Sequence, residues 1–180
     1  MITVRGKRIS TLYSAEQIAE RNLAMAEQMR GKVHQDLLVI AILKGSFIFA
    51  ADLIRAMHSS GIAPEVEFIT LSSYGTGTEG GKVRITKDID SDVKGRDVLL
   101  IDDILESGNT LKFAKDLMEE RGAHNVEIAV LLDKHSKRKA QVEPDYVGFE
   151  CPDHFVVGYG MDVAYAFREL PFVGVVEGDA

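Results

Sequence analysis

Apolar positions along the chain follow two rhythms. DLLVIAIL (36–43) is continuously apolar and rich in branched residues, the pattern of a strand covered on both faces. DVLLI (97–101) and VEIAVLL (126–132) repeat it, and EVEFITLSS (65–73) reads as a further strand. Between them the period changes. Ser14, with Gln17 three residues on, opens a helical pattern carried by Ile18, Ala19, Met25, Ala26 and Met29, and Gly31 stops it. SFIFAADLIRAMHSSG (46–61) and NTLKFAKDLMEERG (109–122) predict two more helices, and 145–149, 154–158 and 172–176 predict shorter strands. Buried strands alternating with helices imply an α/β fold with a mainly parallel central sheet flanked by helices. No repeat, low-complexity segment or linker interrupts the pattern, so one domain over 1–180 is expected.

Composition narrows the function. The 180 residues carry a net charge of −7, with 46% apolar and 27% charged residues. That balance argues against a dedicated nucleic-acid surface, though an anionic ligand in a local pocket stays open. Cys151 is the only cysteine, which excludes an internal disulfide and multi-cysteine metal sites, and it receives no role. MITVRGKRIS has no apolar signal core and no apolar run approaches membrane-spanning length, so a cytoplasmic protein without a membrane partner is expected.

Three motifs invite readings that their surroundings oppose. GTGTEG (75–80) fits a dinucleotide fingerprint, but the alternating KVRITKDI follows where a helix should begin, so a mobile loop is expected. Asp88, Asp90 and Asp92 mimic the first ligands of a calcium loop, but Val93 and Leu99 occupy the glycine and glutamate positions, leaving a solvated acidic turn. KHSKRK (134–139) lacks interleaved aromatics and reads as a solvated basic loop.

LLIDDILESGNTL (99–111) is different. Two adjacent aspartates end an apolar strand, and small residues lead into a helix. Ligands of parallel α/β sheets bind beyond the carboxyl ends of strands, and free amides at a helix N-terminus favour an anion. Carboxylates for hydroxyls or a cation, beside amides and hydroxyls for a phosphate, suit a ribose 5-phosphate. The plainer alternative is that Asp102 and Asp103 cap the turn.

VLLIDDILESGNTL resembles the signature of the type I phosphoribosyltransferases. The resemblance extends through ILKGSF (42–47), SSYGTGTEGGKVRI (72–85), LLDKHSKR (131–138), DYVGFECPDHFVVGYGMD (145–162) and AFRELPFVGVV (166–176), in the order of the purine-salvage members. It implies a hood from the N- and C-terminal segments, a lid at about 72–85 that includes Ser73 and Tyr74, and a homodimer or homotetramer.

It also implies roles for individual residues. Asp102 and Asp103 contact the ribose hydroxyls and share in an Mg²⁺ site with Asp162, while Ser107, Gly108, Asn109 and Thr110 cradle the 5-phosphate. Lys44 and Gly45, with a cis peptide at Leu43–Lys44, and Arg168 meet the pyrophosphate. Phe155 stacks on the purine, Lys134 donates to its 6-oxo group, and Val156 and Asp162 border its edge. Glu106, where the family usually has Asp, is the general base. The implied reaction joins phosphoribosyl pyrophosphate to a 6-oxopurine, hypoxanthine or guanine. A xanthine-preferring enzyme and a non-catalytic, RNA-binding sensor of the same fold are the alternatives. The acidic composition speaks against the sensor.

Overall fold

The computed structural model describes residues 1–32, 34–74 and 82–177. In chain order its elements are β1 (Ile2–Val4), β2 (Lys7–Tyr13), α1 (Ala15–Arg30), β3 (Leu38–Leu43), α2 (Phe47–Ser59), β4 (Glu65–Tyr74), β5 (Lys82–Lys87), β6 (Asp97–Leu105), α3 (Asn109–Glu120), β7 (Asn125–Asp133), β8 (Tyr146–Glu150), β9 (Val156–Val157) and β10 (Val173–Val176), with a 3-10 turn at His135–Lys137.

The continuously apolar runs lie at the centre because both of their faces are covered. The main sheet has the order β5-β4-β3-β6-β7-β8, parallel throughout except for the antiparallel edge strand β5. On one face Val39, Ala41, Leu99 and Ile101 pack with Ile18, Met25, Phe49 and Leu53 of α1 and α2. On the other, Ile40, Leu100, Ile128 and Val130 pack with Leu111, Ala114 and Met118 of α3. Helix α1 begins as its sequence predicts: Ser14 Oγ accepts from Gln17 N at 3.2 Å and Gln17 Oε1 from Ser14 N at 2.8 Å. Asn22 rather than Ala19 completes its buried face, because its amide donates to the Tyr159 hydroxyl at 3.0 Å.

A second, antiparallel sheet of order β1-β2-β10-β9 forms a hood from the two ends of the chain. It is tied to the main sheet where Tyr13 stacks on Phe149, with centroids 4.1 Å apart, and donates its hydroxyl to Glu150 O at 2.7 Å. Between hood and sheet lies the open end of the parallel strands.

Strand β6 runs further than its apolar run predicts. Pairing with β7 continues through Asp102↔Val130, Ile104↔Leu132 and Leu105↔Asp133, so the two aspartates lie within the strand rather than in the turn. The pairing of β6 with β3 ends at Ala41↔Ile101, so on that side Asp102 and Asp103 follow the last paired residues, next to the end of β3 at Leu43. No helix among the described residues is long and apolar enough to cross a membrane. Cys151 is buried, and burial holds its thiol above the usual range, in keeping with an inert core residue.

Candidate active site

Two adjoining cavities open at the carboxyl ends of β3, β4 and β6. The first, about 360 Å³, is lined by Lys44, Gly45, Asp102, Asp103, Glu106, Ser107, Gly108 and Thr110 among others. The second, about 640 Å³, is lined by Lys44, Gly45, Asp103, Glu106, Lys134, Phe155, Val156, Asp162 and Arg168, with Thr70, Ser72 and Thr86 on its wall. Lys44, Gly45, Asp103 and Glu106 border both, so the two form one cleft.

The first cavity ends at the start of α3. Gly108, the N-cap, takes φ +83°, a conformation costly for other residues, and a Cβ there would stand 2.7 Å from Val142 Cγ1. The cap has no side-chain hydrogen bond, and Ser107 Oγ takes only the Asn109 amide, at 3.4 Å. An uncapped helix start with its amides toward a cavity is an anion site. Asn109 itself is not among the residues lining the cavity.

On the opposite wall, the Leu43–Lys44 peptide is cis and Gly45 faces the acidic pair. A Cβ on Gly45 would stand 2.8 Å from Asp103 Cγ and closer still to Oδ2, so only glycine permits this approach. Ser46, fully buried, anchors the loop by donating from Oγ to Ile42 O at 2.5 Å.

The carboxyl of Asp102 is held well above its usual range by burial first and then by the charge of Asp103. Burial also raises Asp103, against the lowering effect of its hydrogen bond with Asp102, of backbone amides and of Arg168. Two crowded acids of this kind gain from a nearby cation. Among the described residues no group of three or more His, Cys, Asp or Glu side chains is arranged to hold a metal alone. Asp162 carries its own partners, Arg168 Nη2 at 2.9 Å and Tyr165 N at 2.8 Å. The donor set fits a hard ion that takes part of its shell from substrate oxygens and water, as Mg²⁺ does.

In the second cavity Phe155 is 50% exposed, leaving a ring face open, whereas Lys134 is 5% exposed. Lys134 Nζ donates to His154 O at 2.7 Å and to Glu106 Oε1 at 3.2 Å. Arg168 reaches Gly160 O at 2.6 Å as well as Asp162. Lys134 and Arg168 thus each have a carboxylate partner that itself lines the cleft. Val156 lies on β9, opposite Val175 of β10.

The phosphoribosyl transferase domain family matches residues 9–164. A hypoxanthine phosphoribosyltransferase of Haemophilus influenzae is 44% identical over 160 residues, 88% of this chain and 88% of that protein. The chain is a member of the phosphoribosyltransferase family. A hypoxanthine-guanine phosphoribosyltransferase of Bacillus subtilis is 43% identical over 169 residues, 92% of each chain. Among solved structures, a hypoxanthine phosphoribosyltransferase of Staphylococcus aureus superposes with a TM-score of 0.88 at 39% identity, covering 93% of this chain and 91% of that one.

Most residues singled out in this phosphoribosyltransferase sequence meet in the cleft. Ser73 and Tyr74 do not: they end β4 outside both cavities, with Arg84 over the Tyr74 ring at 5.6 Å, and the glycine-rich 75–81 lies outside the described residues. The acidic turn is only partly solvated, since Asp88 receives Arg121 at 2.9 and 2.6 Å. The basic run is corrected in part. His135, Ser136, Lys137 and Lys139 are exposed as expected, but Lys134 is buried. Arg138 packs its side chain against Asp133, Val142 and Glu106, and Lys139 N and Ala140 N both donate to Ser107 O at 2.9 Å, so the end of this segment also supports the loop. Its charge-rich composition hides that contact; the only hint is that it follows β7 directly at the end of the sheet where the site lies.

Proposed function

We propose that this protein is a purine-salvage enzyme that transfers the 5-phosphoribosyl group of phosphoribosyl pyrophosphate to hypoxanthine or guanine, yielding IMP or GMP and pyrophosphate. The observation that carries the reading is the joining of two unlike cavities. An open aromatic ring beside a buried ammonium lines one, an uncapped helix start lines the other, and Lys44, Gly45, Asp103 and Glu106 border both. The names of the relatives support the same substrates.

The chemistry follows from donors and acceptors. Phe155 stacks on the purine, and the main chain at Val156 and the Asp162 carboxylate border its edge. Lys134 donates to the 6-oxo oxygen. An ammonium is donor only, so a 6-amino group finds no acceptor there, at a cost of about 1–3 kcal/mol. As the 6-oxo oxygen takes over Lys134, Glu106 loses its partner at 3.2 Å and becomes available to the N7 proton. Purine N9 then forms a bond to ribose C1 while the bond from C1 to the pyrophosphate oxygen breaks, the electron pair leaving with pyrophosphate and the N7 proton passing to Glu106.

Ser107, Gly108, Asn109 and Thr110 hold the 5-phosphate, and Asp102 and Asp103 orient the ribose hydroxyls. Lys44, Gly45 and Arg168 receive the pyrophosphate, Arg168 exchanging the Asp162 carboxylate for phosphate oxygens as a guanidinium fork allows. Asp102 and Asp103, with Asp162, would hold Mg²⁺, which would supply positive charge to the departing pyrophosphate. Ser73 and Tyr74 belong to a lid over 72–85. The enzyme works as one domain in the cytoplasm, as a homodimer or homotetramer, without nucleic-acid or membrane partners.

The test is nucleotide formation from hypoxanthine by the Glu106→Asp and Glu106→Ala variants. The reading expects activity in the first and a loss of about a hundredfold or more in the second. Full activity in Glu106→Ala would overturn the base assignment.

A further inference from the structure

The clamp beneath Glu106 has a role in the proposed reaction. Arg138 is only 11% exposed, and its guanidinium forks to three segments at once. One arm meets the carboxylate of Asp133, 2% exposed at the end of β7. Nη1 donates to Val142 O at 2.9 Å, and Nε donates to Glu106 O at 3.2 Å. The two following amides both close on Ser107 O at 2.9 Å. Residues 138–140 thus hold the main chain of the proposed base and of the first cradle residue from below.

This matters because the Glu106 side chain has little else to fix it. It is exposed, and its ion pair is with Lys134, the group a 6-oxopurine takes. Once that pair opens, the carboxylate is located through its backbone, and glutamate has one more rotatable bond than the aspartate usual at this position. We infer that Arg138 is a positioning residue: acting through the Glu106 carbonyl, it sets the distance from the carboxylate to purine N7 while the same segment anchors the cradle at Ser107. The inference rests on the reading of Glu106 as the base.

Arg138→Lys separates charge from geometry. A lysine keeps a cation beside Asp133 but lacks the planar fork that reaches three acceptors. The expected result is a folded protein whose kcat falls about tenfold or more while KM for hypoxanthine changes less than about threefold, as a misplaced base requires. In a Glu106→Gln background, where no base remains to be positioned, the same substitution should change kcat by less than about twofold. Activity of Arg138→Lys within twofold of the unaltered protein overturns the inference, and so does an equal tenfold loss in the Glu106→Gln background, which marks a merely structural arginine. Full activity of Glu106→Gln alone removes the base itself, and the clamp falls with it. If Arg138→Lys does not fold, the pair Arg138→Gln with Asp133→Asn, which strands no buried charge, carries the same expectations.

Discussion

Replacing Gly45 by alanine adds one methyl group where the cleft has no room for it. The new Cβ would stand 2.8 Å from Asp103 Cγ and closer to Oδ2. Non-bonded carbons settle at about 3.5–4.0 Å, so the carboxylate or the loop must yield by about 1 Å. Asp103 does not swing freely, because its Oδ1 accepts from Ile104 N at 2.8 Å. The loop is held too, through Ser46 Oγ on Ile42 O and Phe47 N on Lys44 O at 3.2 Å. Whichever yields, groups proposed to hold ribose and pyrophosphate separate from their productive positions. Misplacement by about 1 Å lowers a rate about a hundredfold, equivalent to about 2.7 kcal/mol of barrier. The cost to folding is of the overpacking kind, about 1–3 kcal/mol, and each kcal/mol lowers the melting temperature by about 2–4 °C at this length. Steady-state kcat/KM for phosphoribosyl pyrophosphate, measured beside a thermal melt, separates the two effects. The expectation is a loss of about a hundredfold in a protein that still melts cooperatively. A Gly45→Ala variant within threefold of the unaltered kcat/KM would refute the claim that this contact sets the site.

Three further substitutions have calculable outcomes. The Asp102 carboxyl is raised in the folded chain, so the folded state binds more protons than the unfolded one above the ordinary value of 3.8, and stability falls as pH rises through the raised value. Asp102→Asn should therefore raise the melting temperature at pH 8, give no gain below pH 3, and reduce activity sharply; an unchanged or lower melt at pH 8 would contradict this. Lys134→Met should lower kcat/KM for hypoxanthine by about 10–100-fold and leave adenine nearly unaffected, and equal losses for both purines would count against a 6-oxo contact. Phe155→Ala, at a half-exposed position, should move the melt by less than about 2 °C while raising KM for the purine about tenfold, and an unchanged KM would remove the stacking role.

The parts of the fold that are legible in the sequence are those where burial is two-sided or a cap is local. Strand β3 announces itself because every residue is apolar, β7 because its run from Ile128 to Leu132 is, and α1 starts where Ser14 and Gln17 bond each other's backbone. The hairpin β1–β2 does not, because only Ile9 of its residues is buried and the rest alternate weakly at the edge of the hood. The extension of β6 through Asp102 and Asp103 is hidden by charge, since its register depends on a partner strand some thirty residues away. The site shows the same division. The acidic pair and the turn after it occupy contiguous positions and state their chemistry together, whereas Lys134, Phe155 and Arg168 become a site only through resemblance or through the folding of hood onto sheet. Arg138 was legible in neither way, because its acceptors are two backbone carbonyls and a buried carboxylate brought together by topology.

The most direct test of the account is the initial rate of nucleotide formation by the unaltered protein, with phosphoribosyl pyrophosphate and Mg²⁺, against hypoxanthine, guanine, xanthine and adenine. The account predicts turnover with hypoxanthine or guanine and at least about tenfold less kcat/KM with adenine, because Lys134 offers only donors to position 6. Turnover with none of the four purines, despite measurable binding of phosphoribosyl pyrophosphate, would contradict it.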